Sequence, residues 1–221
     1  MASISLLTLR TAARERADEV NSVFVSDAEL TRYINSSAQE LYDLLIEANV
    51  DYATTLLAFS VTGASTSYAL PADFYRLRGL DVSLNGSWCP VPHYDQMERG
   101  NYQSLALQRI FSKVYYHLFN KTLEFLPQSE APGSYQLRYI PLMTVMSADV
   151  DTFDGYNGYE EYIIVDAAIK MKDKGESDVK VLMGQKEALM KRLQAMIPVR
   201  DYANADRVTD VRSGPNIFTA I

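Results

Sequence analysis

Two histidines and one cysteine, His93, His117 and Cys89, are the groups in this 221-residue chain best suited to hold a soft metal. A structural zinc site takes four Cys or His ligands. Three fall short, so no metal site is expected. His117 lies in an alternating segment and is expected to face outward as a polar residue.

The acidic run Asp149-Val150-Asp151-Thr152-Phe153-Asp154-Gly155 invites a calcium-loop reading. Such a loop needs oxygen ligands at positions one, three and five, then Gly, then Glu at twelve. Counted from Asp149, position five is Phe153 and position six is Asp154; only Glu160 falls right. The expectation is a solvated loop whose Glu160 and Glu161 favour the start of the next helix. The many carboxylates leave a glycosidase-like acid pair open, but nothing marks one. The chain has no serine nucleophile elbow, phosphate-cradling glycine loop or dinucleotide fingerprint. No catalytic residue and no cofactor site is expected. A carboxylate-dependent hydrolase is the enzymatic alternative.

Composition narrows the classes further. A hydrophobic fraction of 48% and a charged fraction of 22% suit a globular protein with a sizeable core. No run of about eighteen apolar residues suggests a membrane span. The first residues, MASISLLTLRTAARERADE, lack the basic start and long apolar stretch of a signal peptide. A lone cysteine excludes an internal disulfide and fits synthesis in a reducing cytoplasm. The net charge of −7 argues against tight DNA binding, which usually draws on basic surfaces and counterion release. The 15 tyrosines fit either the edges of a core or surfaces buried against partners.

The elements that must position any site follow from periodicity. Ser5 to Glu19 reads as a helix with Leu6, Leu9, Ala13, Ala17 and Val20 on one face. Val25 sits at the staple position before Ser26, which opens an S-x-x-E capping box with Glu29. From there to Asn49, Leu30, Ile34, Ala38, Leu41 and Leu45 recur at helical spacing, widened by Tyr33, Ser37 and Leu44. Arg32, Gln39, Glu40 and Asp43 lie on the other, polar side.

Strand patterns then take over. They cover Thr54–Thr62, Arg76–Leu84, Ser87–Pro92, Ser112–Phe119, Thr122–Leu126 and Ser134–Ile140. Asn85-Gly86 and Asn120-Lys121 supply turns, and two prolines confine Ser87–Pro92 to an edge. The expectation is an antiparallel meander. Helical spacing returns from Tyr159 to Lys174, with Gly175 as C-cap. Ser177 is the expected cap of a last helix, Asp178 to Met196. The short link implies an antiparallel pair.

The fold expected is therefore α+β. Residues 1–53 and 155–198 form a helical bundle of two N-terminal and two C-terminal helices. Residues 54–154 form an inserted β-rich domain, and 199–221 an extended C-terminal arm. Val208, Val211, Ile217, Phe218 and Ile221 make that arm either an unstructured terminus or a docking segment.

Three groups of residues resemble the head-to-tail adaptor (connector) proteins of short-tailed bacteriophages. The first is Leu9-Arg10, Arg14, Arg16-Ala17, Val25 to Leu30, Ile34-Asn35 and Glu40-Leu41-Tyr42. The second is Tyr68-Ala69-Leu70-Pro71-Ala72-Asp73-Phe74 with Leu77 and Leu80. The third is Leu123-Glu124-Phe125-Leu126-Pro127 with Tyr135, Leu137 and Tyr139-Ile140-Pro141. Trp88 to Leu107 has no counterpart in that pattern. The resemblance implies a virion structural protein at the head–tail junction. It would form a homo-oligomeric ring of twelve copies below the portal protein, with Arg32, Gln39, Glu40 and Asp43 as the candidate subunit interface, and extend the channel for double-stranded DNA. It would also give tail or nozzle proteins a platform, and its C-terminal arms would reach the portal. Acidic groups along a channel would repel phosphate and keep DNA sliding. A tail-completion or other neck protein, touching the tail and not the portal, is the alternative.

Overall fold

The computed structural model describes residues 3–20, 24–48, 53–62, 67–102, 114–153 and 159–196. In chain order the elements are β1 (Ile4–Ser5), α1 (Leu6–Ala17), α2 (Asp27–Ala48), β2 (Thr55–Val61) and β3 (Ser67–Ala69). Next come β4 (Phe74–Leu84), β5 (Ser87–Pro90), a short α3 (Arg99–Tyr102), β6 (Tyr115–Phe119), β7 (Thr122–Leu126) and β8 (Gly133–Pro141). The last are β9 (Thr152–Phe153), α4 (Glu160–Lys174) and α5 (Lys180–Met196). The chain divides into two compact units, one from the residues before Val50 together with those from Met146 onward, the other spanning Val50–Val145.

The helical unit is built around α4, which packs against α1, α2 and α5. A helix surrounded on three sides must be apolar nearly all round. Accordingly, every residue from Tyr162 to Ile169 is buried, and so is Met171. Helix α1 starts where Ser5 Oγ accepts the Thr8 amide at 3.3 Å, and it buries Leu6, Leu9, Ala13 and Ala17. It stops at Asp18, which takes the left-handed conformation.

Helix α2 starts where Ser26 Oγ accepts the Glu29 amide at 3.3 Å. The Glu29 carboxylate turns instead to Tyr33 and Lys174, at 2.9 and 2.7 Å. The expected buried stripe of α2 is present, but it widens through Tyr42 and Ile46, while Tyr33 and Leu44 stay half-buried. Val25 and Leu30, at the two staple positions, are fully buried.

Gly175 is the C-cap of α4, as expected: its amide donates to the Met171 carbonyl at 3.3 Å, and the left-handed turn falls one residue later, on Glu176 at φ +52°. One cap assignment changes. The acceptor at the start of α5 is Asp178, not Ser177: its Oδ1 takes the Lys180 amide at 3.0 Å. The acidic segment from Met146 to Phe153 belongs with the helices, not with the β-rich region. Phe153 pairs with Ile4 across β1 and β9, and Asn35 bonds both the N–H and the C=O of Met146.

The β unit is antiparallel, but it is not a meander. Its two sheets have the orders β2-β8-β4-β5 and β3-β7-β6. Strand β8 comes last in sequence, yet it inserts between β2 and β4. Its Tyr135, Leu137 and Tyr139 are at most 5% exposed, the core-facing half of an alternating strand. Pro90 leaves β5 at the edge, as expected. The Asn85-Gly86 turn has φ +52° and +84°, the positive values that a two-residue hairpin needs.

The inward faces of the two sheets share one core of Val61, Leu80, Val82, Tyr116, Phe125 and Tyr135 with their neighbours. Tyr135 stacks on Phe59 at 5.5 Å, and its hydroxyl donates to the Ala131 carbonyl at 2.7 Å. Burial pushes that hydroxyl's pKa up to about 12. Tyr135→Phe leaves the Ala131 carbonyl without this buried donor. It should cost about 1–3 kcal/mol in a urea melt, with the slope of the transition unchanged.

Candidate assembly surfaces on the helical unit

One carboxylate interrupts the apolar run of α4. Asp166 is 3% exposed. A buried charge must be paired and hydrogen-bonded to be tolerated, and three helices supply its partners. Lys170 of α4 reaches Oδ2 at 2.7 Å, and Lys186 of α5 reaches Oδ1 at 2.8 Å. Ser37 of α2, itself fully buried, donates to Oδ2 at 2.6 Å. Burial would raise the Asp166 pKa, but the bonds from Lys170, Lys186 and Ser37 outweigh it and hold the carboxyl below its usual range.

The cluster extends outward through Glu40. Its carboxylate accepts from the Tyr162 hydroxyl at 2.7 Å and from Lys186 at 2.9 and 3.1 Å. Lys186 also lies over the Tyr162 ring, 5.2 Å from its centre. Burial works against the Lys186 charge, yet Asp166 and Glu40 raise its pKa overall. Burial, then the bond to Glu40, raise the pKa of the Tyr162 hydroxyl. The charges pair with one another within the chain. The arrangement fixes the rotation of α2 and α5 about α4.

A second set of ionic contacts ties α1 to its neighbours. Arg14 reaches Asp27 at 2.9 Å and the Val25 carbonyl at 2.8 Å. Arg10 pairs with Asp149, and Arg16 with Glu161. These arginines act within the chain, tying α1 to the start of α2, to the Asp149 turn and to the start of α4.

The candidate subunit-interface residues divide into two groups. Arg32 and Asp43 are exposed on α2, and Gln39 donates to Asp43 at 3.1 Å. With Ala28, Ser36 and Glu47 they form one continuous outward stripe along the helix. Glu40 turns aside into the inner cluster. The arm residues Val208, Val211, Ile217, Phe218 and Ile221 lie outside the described residues.

The metal candidates stay sparse. His93 Nε2 and His117 Nδ1 are 3.2 Å apart, and the His117 nitrogen is also 3.2 Å from the Tyr94 carbonyl. Contrary to the outward placement expected, His117 is half-buried, beside Tyr94. Burial, then the neighbouring His117, lower the His93 pKa against the opposing pull of Asp95. Cys89 lies on β5, opposite Val82. Among the described residues no three His, Cys, Asp or Glu side chains gather as a metal site. In the acidic run, Asp151 accepts the amides of Ser147 and Ala148 at 2.6 and 2.8 Å, which lower its pKa. Its carboxylate organises a turn.

A family model described as SU10 adaptor protein matches residues 4–216. The chain belongs to this family of phage head-to-tail adaptors. No curated protein matches it. In this adaptor the ionic clusters tie the helices to one another within the chain. Asp166, Lys170, Tyr162 and Lys186 were absent from the sequence-based candidates. The signal that could have found them is Asp166 itself, a lone carboxylate within the run Tyr162 to Ile169.

Proposed function

We propose that this adaptor forms a ring, of twelve copies, beneath the portal protein at the head–tail junction. The ring extends the DNA channel and presents a platform for tail or nozzle proteins. Its role is structural and non-enzymatic. The observation that carries this reading is the match to the adaptor family over nearly the whole chain.

Charge and surface support it. A net charge of −7 per copy suits a conduit that DNA must traverse without adhering. The α2 stripe offers a polar subunit contact, to which Arg32, Gln39 and Asp43 contribute directly and Glu40 from its edge. The β4–β5 hairpin presents Trp88, 47% exposed, as an aromatic anchor of the kind that partner proteins bury. The arm, with Val208, Val211, Ile217, Phe218 and Ile221, is proposed to bind the portal.

Mixing the purified protein with its portal and weighing the complexes tests the ring. A subunit that never associates overturns the reading. Deleting residues 208–221 should weaken portal binding about tenfold to a hundredfold, the worth of one or two buried apolar anchors. The helical circular dichroism should stay unchanged. Unaltered affinity would remove the arm from the scheme.

A further inference from the structure

We propose that the exposed acidic end of α2 in one copy seats on the exposed basic face of α5 in the next, making this helix pair the repeating contact of the ring. The proposal rests on the ring reading above and names its contact surfaces.

The two helices carry opposite charge. Helix α2 holds Asp27, Glu29, Glu40, Asp43 and Glu47 against Arg32 alone. Helix α5 holds Lys180, Lys186, Lys191 and Arg192 against Glu187 alone. Contacts within the chain account for the inward charges. Asp27 meets Arg14, Glu29 meets Lys174, and Glu40 meets Lys186. Asp43 and Glu47 remain on the outward side of α2, one turn apart. Lys180, Lys191 and Arg192 remain on the outward side of α5.

Among the described residues, Glu47 and Arg192 have no ion-pair partner. Lys191 meets Glu187 at 2.7 Å, but their side chains are 73% and 66% exposed, and such a solvated pair contributes little and exchanges readily. Val181 and Ala188 share the face of Arg192 at helical spacing, and Val181 is 76% exposed. An apolar group that open is available for burial beside the charges.

The partner that fits the basic face is a second copy. Its complement lies on a different helix of the same chain, and two unlike complementary surfaces on one subunit join head to tail, the kind of contact from which closed rings are built. Duplex DNA is the competing occupant of a basic helix. The net charge of −7 on the whole chain disfavours a phosphate track.

A charge swap tests the pairing. The wild-type protein, Asp43→Lys/Glu47→Lys, Lys191→Glu/Arg192→Glu and the fourfold variant are each mixed with the portal protein and weighed. Circular dichroism confirms that each is folded. Either double reversal should lower ring yield at least about tenfold, because it sets like charges together. The fourfold variant, with every contact reversed on both sides, should recover it.

Full assembly of both double variants overturns the helix pairing while leaving the ring reading intact. Loss in both without recovery in the fourfold variant also overturns it. A wild-type protein that never assembles removes the ring and the pairing together. If the Lys191→Glu/Arg192→Glu variant forms normal rings but loses retention of duplex DNA, the basic face is a DNA contact and the proposal fails.

Discussion

Asp166→Ala should destabilise the helical unit by about 3–5 kcal/mol, the usual cost of breaking a buried pair from one side. The carboxylate binds two lysines and Ser37 at once. Its removal leaves Lys170 and Lys186 with side chains only 29% and 23% exposed, and Lys186 retains Glu40 alone. At about 2–4 °C per kcal/mol for a chain of this size, the melting temperature should fall by roughly 6–20 °C. Asp166→Asn keeps the shape and a bond to Ser37 while losing the charge, so it should fall between wild type and Asp166→Ala.

The same pair gives a pH signature. The folded pKa of Asp166 lies below its ordinary value. Its stabilisation is therefore complete above the unfolded carboxylate pKa and is lost as pH falls through the depressed folded value. The gap between wild type and Asp166→Ala should be widest near neutral pH and close in acid. A gap that stays constant down through the carboxylate range would show that the charge is not what holds these helices.

The sequence made some of this architecture readable and hid the rest for physical reasons. Helix α2 was legible because its signals are local: the Ser26 cap, the acidic first turn and a long apolar period all lie within one segment. The Asn85-Gly86 hairpin was legible for the same reason, since two residues set its geometry. The sheet order was not. Which strand pairs with β8 depends on hydrogen bonds between distant segments, and Thr55–Val61 meets residues 133–139 only in the folded chain, through Thr55↔Tyr139 to Val61↔Gly133. The cap of α5 was placed on Ser177 and not Asp178 because either short polar side chain can accept a first-turn amide. The ionic cluster was hidden because Glu40, Asp166 and Lys186 are far apart in sequence, and only the lone carboxylate within an apolar run hinted at it. Glu40, grouped with the outward face by spacing, sits at that face's margin, where Lys186 and Tyr162 draw it inward.

Leu41→Asp should unfold the helical unit outright. Leu41 is fully buried on the α2 face that α4 covers. The change loses about 1.5–3 kcal/mol of apolar burial. It also leaves a void and places a carboxyl where its environment is supplied by Leu45, Ala38 and other apolar groups. Together these approach the roughly 5–15 kcal/mol that holds a typical domain folded. Leu41→Ala removes the side chain without adding charge and should cost about 2–5 kcal/mol, leaving a folded protein with a lowered melting temperature. The β unit has its own core around Tyr135 and Phe125, which the substitution does not touch. Circular dichroism of Leu41→Asp should therefore lose the helical signal more completely than the strand signal. A Leu41→Asp protein that melts close to wild type would mean that this face of α2 is not the core of the unit. The assignment of its opposite stripe to subunit contacts would then fall as well.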